Sequence, residues 1–310
     1  MAMDKQLQVS SSPHIDIAED TRSLMLDVII ALTPALLLSV FYFGFRALIL
    51  TLISVASCIA FEFLYRRLMK KHTTIGDLSA VVTGILIAFN LPASAPYWMV
   101  VVGAFFAIVI VKQLYGGLGK NFMNPALAAR AFLLSWPTTM STWPKVFEKV
   151  PLIGQTADVV TAATPLAALK SGTLPDNTLM ELLLGQHGGT LGETSAIVLL
   201  IGGVYLVLRK VISPRIPLFY IGTVAVVTFI FPRGGVNNLQ WMLYNVLSGG
   251  LILGAVFMAT DYVTSPVTKG GRALFGIGCG LITVFIRYFG SYPEGVSFSI
   301  LIMNACAWVL

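Results

Sequence analysis

The chain has 310 residues, of which 56% are hydrophobic and 11% charged. Its mean hydropathy is +0.84, whereas soluble domains carry roughly 25% charged residues, so a water-soluble globule is excluded. The net charge of +6 fits the basic cytoplasmic loops of a membrane protein and gives no ground for nucleic acid as a partner.

Residues 1–23 read as a polar cytoplasmic segment containing Asp4, Asp16, Glu19 and Asp20, without the charged-then-apolar pattern of a cleavable leader. Apolar segments then recur at 24–43, 47–68, 78–91, 97–113, 124–136, 194–208, 216–231, 239–259, 272–288 and 294–310. Many approach the ~20 residues that cross a hydrocarbon core. The fold class expected is therefore an all-α polytopic membrane protein of about ten transmembrane helices. The third and fifth segments are short for a full crossing at about 1.5 Å per residue and read as half-helices that lean on protein. The last run has no polar flank, so the natural chain is expected to continue beyond Leu310.

Lysine and arginine set the orientation. With the N-terminus inside, thirteen fall on the inner face (Lys5, Arg22, Arg66, Arg67, Lys70, Lys71, Lys112, Lys120, Arg209, Lys210, Arg215, Lys269 and Arg272), six fall outside (Arg46, Lys145, Lys149, Lys170, Arg233 and Arg287), and Arg130 lies within a helix. Residues 137–193 then form an extracytoplasmic loop between membrane halves 24–136 and 194–310. The halves echo one another. Leu91-Pro92 precedes Asn124-Pro125 and Arg130-Ala-Phe132, and Phe231-Pro232 precedes Ser265-Pro266 and Arg272-Ala-Leu-Phe275 at a similar interval. Internal repeats are common in proteins that pass something through the membrane midplane.

Within the loop lies Asp158-Val-Val-Thr161-Ala162-Ala163-Thr164-Pro165-Leu166. Small residues leave the Thr164 hydroxyl reachable for covalent modification, Asp158 and Thr161 offer polar groups to a modifying enzyme, and Pro165 keeps Thr164 extended. The plainer reading is an Ala/Thr-rich turn before a short helix at 166–170. A second constellation, Gly116-Gly-Leu-Gly-Lys-Asn121-Phe-Met-Asn124-Pro-Ala126, brings a glycine-rich turn into a proline-started helix. The carboxamides of Asn121 and Asn124 suit the edge of a neutral heterocycle, and they equally suit a tight turn that satisfies its own backbone.

Asp27, Glu62, Asp77 and Asp261 lie in or beside apolar segments, where a central carboxylate costs roughly 2.5–3.5 kcal/mol. Asp27 and Glu62 sit inside their helices and are the ion-path candidates. Asp77 and Asp261 stand at boundaries, where solvation or helix capping explains them, and Arg130 or Arg272, at matching places in the repeat, is a candidate partner for Asp261 or another acid. Cys58, Cys279 and Cys306 lie far apart in apolar stretches. They read as buried small hydrophobes, and their spacing supplies neither an iron–sulfur cluster nor a zinc site, so no metal is expected.

Together these residues resemble the D subunit of the Rnf complex, the membrane ferredoxin–NAD oxidoreductase coupled to sodium or proton transport. The resemblance spans nearly the whole chain. It rests on Ser12-Pro-His14, Gly119-Lys-Asn-Phe-Met-Asn-Pro-Ala126, Asp158 to Thr164, Asp261-Tyr-Val-Thr-Ser-Pro266 and Glu294-Gly-Val-Ser-Phe-Ser-Ile-Leu-Ile-Met-Asn304. The B subunit of the sodium-pumping NADH–quinone reductase is similar but carries a longer N-terminal extension.

The resemblance implies a urea-channel-like fold of two repeats in the cell inner membrane. It implies FMN esterified through its phosphate to Thr164, with Asp158, Thr161 and Ala163 as the surrounding motif. A noncovalent riboflavin near Asn121 and Asn124 is implied as well. Ala162 stands where a glycine is common, a change between two small residues. The implied partners are the other Rnf subunits and, through them, ferredoxin and NAD. Flavin reduction is then expected to change local charge and bias the repeats between inward and outward access. A non-redox transporter or channel also suits repeats, half-helices and buried acids but leaves residues 158–164 idle, and a membrane scaffold leaves the acids idle too.

Overall fold

The computed structural model describes residues 20–147, 150–152, 164–193 and 195–310. Asp158, Thr161, Ala163 and Ser12-Pro-His14 lie outside the described residues.

Apolar chain in lipid must satisfy its own backbone, and helices do so locally. Two long ones open the fold, α1 (Thr21–Phe43) and α2 (Phe45–Leu68). Three shorter ones follow: α3 (Ser79–Phe89), α4 (Tyr97–Gln113) and α5 (Pro125–Leu133). The interval carries α6 (Pro165–Lys170) and α7 (Leu179–Leu184). The second half holds α8 (Ala196–Leu208), α9 (Arg215–Ile230), α10 (Asn238–Leu247), α11 (Leu251–Met258), α12 (Lys269–Phe289) and α13 (Val296–Cys306). Among the described residues there is no extended strand, only an isolated antiparallel bridge between Pro92 and Thr190.

By length and composition, α1, α2 and α12 can each cross a membrane, and α10 with α11 can form a fourth span bent by 63°. The continuous segment expected over 239–259 is thus broken. Ser248-Gly249-Gly250 interrupts it, with Gly249 at φ +72°, a conformation that glycine adopts at no steric cost. The fifth segment also ends early, at Leu133, because Trp136 precedes Pro137 and is pushed out of helical geometry. The ends of α4 and α11 share a feature: residues Phe106–Gln113 and Gly254–Met258 wind as π-helix, a form found often at functional sites.

Packing depends on small residues, as expected where lipid removes the hydrophobic drive between helices. A Cβ on Gly276 would stand 2.9 Å from Phe219 Cβ, and one on Gly280 would stand 2.6 Å from Thr223 Cβ. These two glycines, one turn apart, let α12 lie directly against α9. Tyr220 ties the same region together, its hydroxyl lying 2.7 Å from Thr283 Oγ1 and 2.8 Å from Ser299 Oγ.

The molecule reverses the soluble pattern: apolar side chains cover its outside, and its largely apolar core also encloses polar and charged groups. Leu37, Phe41, Leu208, Leu218 and Phe285 are exposed, while Glu62, Lys112, Asn245, Thr283 and Ser299 are buried. That inversion belongs to a polytopic helical membrane protein. Cys58 and Cys279 are buried as expected, but Cys306 is exposed on the last turn of α13. Its sequence neighbours are apolar because that face looks outward, away from the protein core.

Candidate functional site

Thr164 is the N-cap of α6. Its backbone is extended, at φ −80° and ψ 146°, as the following proline requires. Its Oγ1 accepts from the Ala167 N–H at 3.3 Å, and among the described residues the hydroxyl proton has no acceptor. The residue is partly exposed and opens onto a cavity of about 330 Å³. Small-molecule sites span roughly 300–1,000 Å³, so the volume suffices for a ring system. Trp143, Tyr292 and Phe298 supply aromatic surface, Leu134 and Met140 supply apolar wall, and Arg130 supplies positive charge. Tyr292 and Phe298 lie 5.9 Å apart, inclined by 31°. Glu193 and Glu294 line the cavity as well, so its fit to a flavin joined through its phosphate rests on the Thr164 hydroxyl and on the apolar and aromatic walls.

At the floor of this cavity sits a charged group that α3, α5, α12 and α13 position together. Arg130 pairs with Glu294 and donates from Nη1 to Asn90 Oδ1 at 2.8 Å. Glu294 Oε1 accepts from the Gly250 N–H at 3.1 Å. Glu193 accepts from the Thr190 N–H at 3.3 Å. Burial, then the charge of Glu294, pushes the Glu193 carboxyl up to about 7, against the opposing pull of Arg130 and Thr190. Of the two arginines expected to partner Asp261 or another acid, Arg130 pairs with the acid Glu294, whereas Arg272 Nε donates to the Pro266 carbonyl at 3.0 Å. The α12–α13 turn carries Glu294 directly to Arg130, a closure invisible in sequence spacing.

A second cleft, of about 90 Å³, is lined by Ser79, Thr83, Lys112, Asn121, Asn124 and Asp261 among others. Sequence reading brought Asn121 and Asn124 together correctly, but Asn124 is spent on structure. Its Oδ1 accepts from Ala126 and Leu127 N–H at 3.0 and 3.3 Å, and its Nδ2 donates to Met258 O at 3.2 Å. Asn304, with its amide oriented to satisfy its neighbours, accepts from Asn124 N–H at 3.1 Å. Asn121 donates to Met123 O at 3.2 Å. This cleft is too narrow for a flavin ring unless it opens. Asp261 accepts from Thr264 Oγ1 at 3.1 Å, and burial raises its carboxyl pKa. Asp77 accepts from Ser79 N–H and Oγ at 2.9 and 2.5 Å, the capping role expected of it.

Both ion-path candidates are paired. Asp27 Oδ1 accepts from Tyr205 at 2.8 Å and Oδ2 from Arg209 at 3.3 Å, joining α1 to α8. Fully buried Glu62 meets Lys112 Nζ at 2.8 Å and the Thr74 hydroxyl at 2.5 Å, with Arg66 Nε at 4.0 Å. Lys112 also donates to Ser79 Oγ at 2.7 Å. Beside them Gln113 is fully buried, and neither amide atom is hydrogen-bonded among the described residues.

Sequence comparison adds an independent observation. The model of the NQR2, RnfD, RnfE family matches residues 8–310. The chain belongs to this family. A family member from Acetobacterium woodii, the D subunit of the Na(+)-translocating ferredoxin:NAD(+) oxidoreductase complex, is 51% identical over 96% of this chain and 90% of its own. The proton-translocating counterpart from Clostridium ljungdahlii is 41% identical over 96% of this chain and 91% of its own. The D subunit of the ion-translocating oxidoreductase complex of Stutzerimonas stutzeri is 37% identical over 91% and 87%.

Sequence reasoning missed Lys112, Glu193 and Glu294 as members of charged groups. Lys112 carried a usable signal, since a lysine inside an apolar run needs a partner. Glu193 and Glu294 carried none, because acids at the edges of apolar runs read as solvated.

Proposed function

We propose that this chain is a flavin-bearing electron-transfer subunit of a membrane complex that couples ferredoxin:NAD oxidoreduction to sodium or proton translocation. FMN is esterified through its phosphate to Thr164. The observation that carries this reading is the opening of the Thr164 hydroxyl onto a flavin-sized cavity lined by aromatic rings and Arg130. Once bound, the flavin supplies one-electron redox chemistry that no side chain here offers. The protein's own contribution is to hold the phosphate on Thr164 and to present apolar and aromatic walls, with Arg130, paired to Glu294, at the cavity's edge. A riboflavin beside Asn121 needs the second cleft to widen, and no step is routed through it.

The finer architecture belongs to the same proposal. Ten spans, N-terminus inside, would place residues 137–193 and Thr164 on the outer face of the cytoplasmic membrane, between repeats 24–136 and 194–310. The matching π-helical ends of α4 and α11, each before a polar turn, support the repeat. Ion passage at Asp27 or Glu62 would require opening an existing ion pair. The other subunits of the complex would contact ferredoxin and NAD.

In-gel fluorescence of the denatured subunit tests the cofactor. A fluorescent wild-type band that disappears in Thr164→Ala is expected. A dark wild-type band from a host that flavinylates other proteins would refute the reading and favour a non-redox transporter.

A further inference from the structure

Glu193 and Glu294 converge from different elements on one point, Gly250. A Cβ built there would stand 2.5 Å from Glu294 Oε1 and 3.4 Å from Glu193 Oε1. Two carboxylates this close resist joint ionisation. Their partners are unequal. Glu294 has Arg130 and the Gly250 N–H, whereas Glu193 has the Thr190 N–H and no ion pair among the described residues.

The charged and titratable groups facing the pair come from every surrounding element. Arg130 comes from α5, Arg287 from α12, Tyr292 from the α12–α13 turn and His187 from the loop before Glu193. Arg130 is committed to Glu294, Arg287 donates to the Asn245 and Ser248 carbonyls, and burial lowers the affinity of His187 for a proton. Glu193 is left as the group that exchanges protons near neutrality. A separate observation shows how protons could arrive. Among the described residues, His187 Nε2, Ser248 Oγ and Arg287 Nε are buried without a hydrogen-bond partner. Such atoms are ordinarily satisfied by water, and Glu193 itself lines the Thr164 cavity.

We propose that Glu193 is a redox-linked proton acceptor, which binds one proton when an electron enters the Thr164 cavity and releases it when the electron leaves. This rests on the flavin reading above. In the forward step an iron–sulfur donor, the class to which ferredoxin belongs, loses one electron and the flavin gains it. A proton from water forms an O–H bond on Glu193, and the net charge of the cavity stays constant. On re-oxidation the electron passes to the next carrier, the Glu193 O–H bond breaks and the proton returns to water. Linkage makes the effect reciprocal: a proton on Glu193 raises the electron affinity of the cavity.

The test is a redox titration of the Thr164-linked flavin in the purified complex across pH 5.5 to 9, for wild type, Glu193→Gln and Glu193→Asp. Wild type is expected to show a potential that is flat below about pH 7, where Glu193 is already protonated, and that falls above it by one proton per electron. Glu193→Gln should lose that slope while keeping its fluorescent band, and Glu193→Asp should restore it. A Glu193→Gln variant that keeps the wild-type slope overturns the proposal. A dark wild-type band sinks the flavin reading, and redox-linked uptake with it. The carboxyl C=O infrared band lost in Glu193→Gln then shows whether Glu193 still exchanges a proton near pH 7 or titrates as an ordinary glutamate.

Discussion

Replacing Lys112 with methionine keeps most of the side-chain volume and removes one charge from a fully buried pair. Glu62 is 0% exposed and Lys112 2% exposed, and their charged atoms lie 2.8 Å apart. At an effective dielectric of about 20, two unit charges at that distance attract by roughly 6 kcal/mol. Much of that only offsets the desolvation of both ions, so the pair's net worth is far smaller. The single variant is different, because it strands a carboxylate. Breaking a buried pair from one side costs about 3–5 kcal/mol. The lower end applies here, since Thr74 still donates to Glu62 and Arg66 Nε stands 4.0 Å away. Lys112→Met should therefore destabilise by about 3 kcal/mol, and adding Glu62→Gln should recover most of the loss. Equilibrium denaturation in mixed micelles for all four members of the cycle supplies the coupling energy. Single-variant losses that add up to the double variant's loss within about 0.5 kcal/mol, as independent sites do, would refute the reasoning.

Other expectations follow from particular contacts. Gly280→Leu drives a side chain into Thr223 and the Tyr220 carbonyl, 2.6 and 3.0 Å from the new Cβ. A loss exceeding the roughly 1–3 kcal/mol of ordinary overpacking, with failed assembly on native gels, is the expected result. Asn124→Ala removes the cap of α5 and the tie to Met258, and should lower stability by about 1–2 kcal/mol. Normal thermal unfolding of this variant would refute the structural role of its carboxamide. The folded protein holds a proton on Glu193 up to about pH 7, well above an unfolded glutamate near pH 4.3. Wild-type stability should therefore fall as pH rises through that window, by no more than about 4 kcal/mol. Glu193→Gln should flatten the contribution, as comparison of unfolding midpoints at pH 5 and 8 would show.

Much of the fold was legible because lipid imposes few solutions. Segments 24–43 and 97–113 match α1 and α4 almost to the residue, since their ends fall at Gly44 and at the run before Tyr115-Gly-Gly. The break in segment 239–259 was missed because hydropathy averages across Ser248-Gly249-Gly250, although the paired glycines marked it. At the candidate site, Thr164 was found by its local pattern of small residues and proline. Glu193, Glu294 and Arg130 meet only through tertiary closure between the interval, α5 and the α12–α13 turn. Glu62 was visible as an acid in an apolar run, but its partner Lys112 lies on another helix, and no local spacing connects them.

A covalent flavin at Thr164 is the claim on which the electron-transfer role depends. Mass spectrometry of proteolytic peptides from the purified wild-type subunit tests it most directly. The peptide containing Thr164 is expected to carry the mass of FMN less one water, with fragmentation placing the addition on Thr164. An unmodified Thr164 peptide, from cells whose other flavinylated proteins carry their cofactor, would contradict it.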